Sequence, residues 1–176
     1  MRSIPNIGVD RARLRTTLVY RFTDSIQAGV EYNTIADDVG LLANWRAIEE
    51  TQARPALILG TSSDRIGTTH GRSYYGTLSK DLEHLTRLPV APYAGLAFGE
   101  QDDEWLGIGG LVVRWGEHWT TTSLFDGRNL HHVLETTIAG RHRVGLVLAR
   151  QGDESFLGLS YSFSFALPFL ERWRGD

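Results

Sequence analysis

The stretch FLGLSYSFSF, residues 156–165, decides how this chain folds. Leu157, Leu159, Tyr161, Phe163 and Phe165 fall at every second position, and Gly158, Ser160, Ser162 and Ser164 fill the gaps. A strand sends successive side chains to opposite faces, so one face here is bulky and apolar and the other small and polar. A soluble domain would bury the bulky face. A membrane barrel would turn it to lipid and line a narrow interior with the serines.

The same period-two pattern runs through most of the chain. Leu14, Leu18, Tyr20 and Phe22 alternate with Arg13, Arg15 and Arg21, and Ile26, Ala28, Val30 and Tyr32 alternate with Gln27, Glu31 and Asn33. Val39, Leu41, Ala43 and Trp45 are offset against Asn44 and Arg46. Further runs of this kind bring the count to about eleven candidate strands, each roughly ten residues long. The connections are short and polar (Asp37-Asp38, Gly116-Glu117, Asp126-Gly127, Gln151-Gly152-Asp153), as tight hairpins require. Two connections are longer, at 64–71 and 81–89, and the second suits a helical turn.

The expected fold is therefore all-β: a closed antiparallel up-and-down β-barrel of about 10–12 strands. Closure removes the exposed edges that so many hairpins would otherwise leave. The whole chain, 1–176, reads as a single barrel domain with strands within about 4–165 and a C-terminal tail over 166–176.

Composition narrows the chemistry. The 176 residues carry a net charge of −3 with acids and bases interspersed, which gives no basic field for nucleic acid. With no cysteine there is neither a disulfide framework nor a thiolate metal site. Residues 1–10 lack the apolar core of a secretory signal, so the chain is expected either to remain unexported or to be a mature or shortened form. No apolar run is long enough for a transmembrane helix. Barrel strands need only about 9–11 alternating residues and escape that test.

Three features favour lipid outside: the length of the strands, the Gly, Ser, Thr and paired charges on the face opposite the bulky residues, and aromatics gathered near strand ends. On these residues the chain resembles bacterial outer-membrane β-barrel proteins as a general class, over roughly residues 11–165. The alternating YSFSF of the last strand is similar to the terminal signal by which such barrels are recognised for assembly, although here ALPFLERWRGD follows it. The resemblance implies an outer-membrane location, the bilayer and the barrel-assembly machinery as partners, and an even number of strands, with IPNIGV (4–9) as the missing one.

In this reading Arg13, Arg15, Arg21, Gln27, Glu31, Asn33, Asn44, Arg46, Glu135 and Arg143 point into the lumen, the arginines facing Glu31 and Glu135. Leu157, Leu159, Tyr161, Phe163 and Phe165 face lipid. Such a lumen either plugs itself, giving a structural or anchoring protein, or leaves a narrow polar path for passive transport.

Two alternatives stand beside it. One is a soluble lipocalin-like barrel holding an apolar small molecule. The other is an outer-membrane lipid-modifying enzyme using His70 and Ser73. No catalytic set, metal site or cofactor is expected: on a strand His131 and Glu135 share a face more than about 13 Å apart, and the acidic pairs at 37–38 and 102–104 read as solvated loop tips. The GIGG at 107–110 lies within an apolar strand, where glycine facing the interior makes room for an Arg or Trp of a neighbouring strand.

Overall fold

The computed structural model describes residues 1–165. Twelve strands close into one antiparallel barrel in the order β1-β12-β11-β10-β9-β8-β7-β6-β5-β4-β3-β2. They are β1 (Arg2–Ser3), β2 (Leu14–Arg21), β3 (Ile26–Asn33), β4 (Asp38–Ile48), β5 (Ala56–Ser63), β6 (Arg72–Ser79), β7 (Val90–Gly99), β8 (Glu104–Trp115), β9 (Trp119–Phe125), β10 (Leu130–Ile138), β11 (His142–Gln151) and β12 (Glu154–Phe163). Every neighbour in sequence is a neighbour in space, so hairpin formation alone generates the sheet. Only β1 is non-local: it closes the seam by pairing Arg2 with Ser160 on one side and with Arg15 on the other.

The twelfth strand is not the one the sequence suggested. Residues 4–9 are not extended along the wall; they turn inward. Ile4 and Ile7 are fully buried and pack with Val9, Ala12, Val147 and Ala149 into the one cluster of buried apolar side chains among the described residues. A single helical turn, α1 (Asp10–Arg13), returns the chain to β2. Arg13 thus belongs to α1 and not to a strand, and its charge meets Asp10 at 2.9 Å. The turn expected near 81–89 is α2 (Glu83–Thr86). The tail over 166–176 lies outside the described residues.

The inserted segment gives the barrel two different rims. The plugged rim carries residues 4–13 with the connections 34–37, 64–71, 100–103, 126–129 and 152–153. The opposite rim carries 22–25, 49–55, 80–89, 116–118 and 139–141. Arg11 straps the plug in place by bonding to Gly71 O of one connection and pairing with Asp38 of β4 at 3.1 Å.

Register assigns every strand residue to a face, because directly paired residues share one. The outward set includes Leu18, Val30, Leu41, Leu59, Leu96, Leu134, Leu146 and Leu157, the last 70% exposed. Aromatics stand at both ends of this face: Tyr20, Trp45, Trp115, Trp119, Tyr161 and Phe163 toward the opposite rim, and Tyr32, Tyr74, Phe98 and Trp105 toward the plugged one. Between these belts no described outward residue is Asp, Glu, Lys or Arg. Phe165 lies two residues past β12, 56% exposed, and stacks on Phe163 at 5.9 Å. No described helix is long and apolar enough to cross a membrane.

Candidate functional site: the barrel lumen

The inward face is built by the same register. Arg15, Asn33 and Asp38 stand side by side on β2, β3 and β4, and Thr17, Glu31 and Gly40 form the next row. Arg2 of β1 is paired with Arg15. Glu31 is fully buried and ion-paired with Arg15, and Asn33 is 1% exposed. An unpaired charge in so dry a place would be expensive, so the pair is a condition of folding for this wall. Glu135 on β10 receives Ser160 Oγ at 3.3 Å, with Arg143 3.9 Å away.

The remaining arginines are not matched to Glu31 or Glu135. Arg46 reaches Asp24 O and Glu49 within the opposite rim, and it lines a polar vestibule of about 390 Å³ with Arg21, Gln27, Asn44 and Ile58. Sequence spacing brought these residues onto the right strands but not to the right partners, because hairpin-tip acids lie closer than acids across the bore.

A second lumen chamber, of about 490 Å³, reaches toward the plugged rim on the β4–β9 side. Its walls are apolar, from Ile58, Ala97, Leu106, Ile108 and Leu124 together with the rings of Tyr75 and Tyr93. Ser63 and Ser73 lie at the rim ends of β5 and β6, and Asp64 and Asp126 open the connections that follow β5 and β9. The two chambers share Asn44 and Ile58, and Tyr75 Oη donates to Asn44 Oδ1 at 2.6 Å across that shared wall.

The tyrosines fit because glycine faces them. A Cβ on Gly60 would lie 2.6 Å from the Tyr75 ring, and one on Gly110 would lie 2.6 Å from the ring of Tyr93. Interior glycine of the GIGG run thus accommodates a tyrosine, not the arginine or tryptophan expected. Tyr75 itself was hidden by its neighbour, since two successive aromatics in RSYYG leave the alternation unreadable. Arg2, Arg11 and the plug were missed because their register is set by closure of the seam.

The polar groups at the plugged rim are tied into clasps. His131, 1% exposed, places Nε2 2.9 Å from Asp126 Oδ2, while its Nδ1 takes the Arg150 N–H. That arrangement gives the ring its hydrogen on Nε2 and leaves no lone pair for a metal or a proton transfer. Burial alone would raise the Asp126 carboxyl, but the His131 bond and the backbone N–H groups of Asn129 and Arg128 outweigh it and hold it below 3.8. Arg65 bonds Asp102 and lowers its carboxyl too, and Arg128 pairs with Glu104. The 102–104 acids are thus neutralised by arginine. Asp38 of the other acidic pair is held by Arg11, and Asp37 accepts Tyr32 Oη at 3.0 Å.

His70 and Ser73 do not form a reactive pair. His70 sits exposed in the 64–71 connection, its backbone N–H on Gln101 Oε1, while Ser73 is buried in the barrel wall. No hydrogen bond joins the two among the described residues. Nor does any group of three or more described His, Asp or Glu side chains stand close enough to hold a metal ion. His132, on the outward face, meets Ser123 Oγ at 2.9 Å.

Comparison with protein-family models, with curated proteins and with solved structures finds no match to this chain.

Proposed function

We propose that this barrel spans a bilayer, that of a bacterial outer membrane, and works there as a small restricted pore rather than as an enzyme. The observation that carries the reading is the outward face: free of Asp, Glu, Lys and Arg between two aromatic belts and apolar on most strands, with Thr121, Ser123, His132 and Thr136 as its polar stretch on β9 and β10. Soluble monomers rarely expose apolar patches beyond a few hundred Å², whereas lipid-facing strands present such a band about 25 Å tall. The ten residue steps from Trp105 to Trp115 on β8 extend roughly 33 Å at about 3.3 Å per residue. Tilted by about 40°, that length gives a height of about 25 Å.

The lumen supports the second half of the reading. The plug fills the side formed by β1, β2 and β10–β12 at its own rim, with a smaller polar space of about 220 Å³ left toward the opposite rim beside Arg2, Arg15 and Glu135. The larger chamber runs along β4–β9, and the vestibule opens at the opposite rim along β2–β5, the two meeting at Asn44 where Tyr75 bridges. A solute passing through this half meets that bridge as the constriction.

The test is refolding from urea with and without detergent micelles, read by far-UV circular dichroism and by the mobility of unboiled samples. β-Structure and a heat-modifiable band are expected only with micelles; clean folding in plain buffer would sink the membrane reading. In planar bilayers the wild type should conduct weakly and Tyr75→Ala several-fold more. Equal conductance would refute the constriction while leaving the membrane reading standing.

A further inference from the structure

The geometry points to the 490 Å³ chamber as a binding site for a small molecule with an apolar body and a protonated amine. This assignment rests on the chamber itself and not on the solvent around the barrel. Its volume falls in the range of sites that enclose drug-sized ligands, and the combination of apolar walls with a few convergent polar groups is typical of such sites.

The sign of the ligand's charge follows from what the polar end leaves unmatched. Asp64 lines the chamber and accepts the backbone N–H groups of Arg65 at 2.7 Å and Gln101 at 3.2 Å. Its carboxylate fills the space over Gly99, where a Cβ would come within 2.8 Å of both oxygens. No described cation lies within ion-pair distance of it. Arg65 also borders the chamber, but its guanidinium is engaged by Asp102, and Arg128 by Glu104. Asp126 accepts the backbone N–H groups of Arg128 and Asn129 and meets a histidine whose hydrogen-bond pattern is that of the neutral ring. Two carboxylates therefore stand at the end of a chamber whose arginines are already matched.

An ammonium group placed there would form charge-assisted bonds to a pre-oriented carboxylate while its apolar body lay against Ile58, Leu106, Ile108 and Leu124. A carboxylate ligand would meet like charge. A neutral alcohol of the same shape would keep the apolar contacts and lose the ion pair, which at about 1.4 kcal/mol is a tenfold loss.

The refolded protein would be titrated calorimetrically with naphthylmethylamine, naphthylmethanol and naphthoate, against a blank lacking protein. The amine is expected to bind saturably, the alcohol about tenfold more weakly, and naphthoate not at all. Asp64→Asn should bring the amine down to the alcohol's affinity and leave the alcohol unchanged. Ala97→Phe, which adds a ring to the chamber wall, should abolish binding of both while the folded band persists. Naphthoate binding as tightly as the amine would overturn the assignment, as would an amine affinity indifferent to Asp64→Asn. The second outcome can be read even if Ala97→Phe does not fold.

Discussion

The two halves of the lumen solve one problem in opposite ways. On the β1, β2 and β10–β12 side the bore is filled by backbone: residues 4–13 enter from the seam and lay Ile4 and Ile7 on Val147 and Ala149. On the β4–β9 side it is spanned by side chains, with Tyr75 and Tyr93 reaching over glycines of the same wall, a chamber beside them and the vestibule of β2–β5 adjoining it at Asn44. Both fillings need small residues opposite them. A Cβ on Gly158 would meet Ile4 Cγ1 at 2.7 Å, much as Gly60 and Gly110 receive the rings. The difference lies in burial. Around the plug the filled half is dry and matches its buried charge, Glu31 to Arg15, and only a small polar space of about 220 Å³ remains toward the opposite rim, whereas the hollow half leaves its polar groups beside larger open volumes. Stability is therefore concentrated on one side of the barrel and room for a solute on the other.

The largest expected break in that comparison is at Glu31. Glu31→Leu removes the fully buried ion-pair partner of Arg15 and leaves that guanidinium against an apolar side chain. A loss of about 3–5 kcal/mol is expected, read as a lower urea midpoint of the folded band. Asp64→Asn, in the hollow half, removes a carboxylate that has no ion-pair partner and should shift the midpoint by less than about 1 kcal/mol. Equal losses at the two positions would erase the contrast.

Apolar truncations should follow the same order on a smaller scale. Ile7→Ala opens a cavity where the side chain is completely enclosed, at about 2–4 kcal/mol. Ile108→Ala enlarges a chamber that already exists, around a side chain that is only half-buried, and should lose less than half as much. Paired denaturation curves in one medium decide it: an Ile108 variant as unstable as the Ile7 variant would mean that the chamber is packed as tightly as the plug.

How much of this was legible in the sequence follows the same division. Strands β2 to β12 announce themselves because each is hairpin-linked and the period of two persists through most of them, failing mainly at RSYYG in β6 and WTTTS in β9; FLGLSYSFSF needs no distant partner to be read as a strand. The closed all-β barrel follows from that chain of hairpins. What could not be read is what closure creates. β1 is two residues long, far below any periodic signal, and IPNIGV alternates well enough to pass for a strand although its apolar residues serve as a plug. Arg13 continued the alternation of β2 by one residue too many, since α1 ends there. The chambers were equally invisible, because they depend on which glycine lies across from which tyrosine, a matter of register rather than pattern.

At the rim that both halves share, a single carboxylate carries a small effect that depends on pH. Asp126 sits between the two halves, clasped by His131 and two backbone N–H groups, with its folded pKa held below 3.8. A carboxylate lowered on folding contributes stability that is fully present above its unfolded value and is lost as pH falls through the folded one. Asp126→Asn keeps an acceptor for the backbone but removes the charge, so wild type should exceed the variant by about 1 kcal/mol at pH 7. That margin should stay level down to about pH 4 and close as the solution becomes more acidic. Because every other carboxylate titrates alike in both proteins, the difference between their urea midpoints isolates this one clasp. A margin unchanged at pH 2.5 would show that the shape of the turn, not the charge of Asp126, holds the 126–129 hairpin against His131.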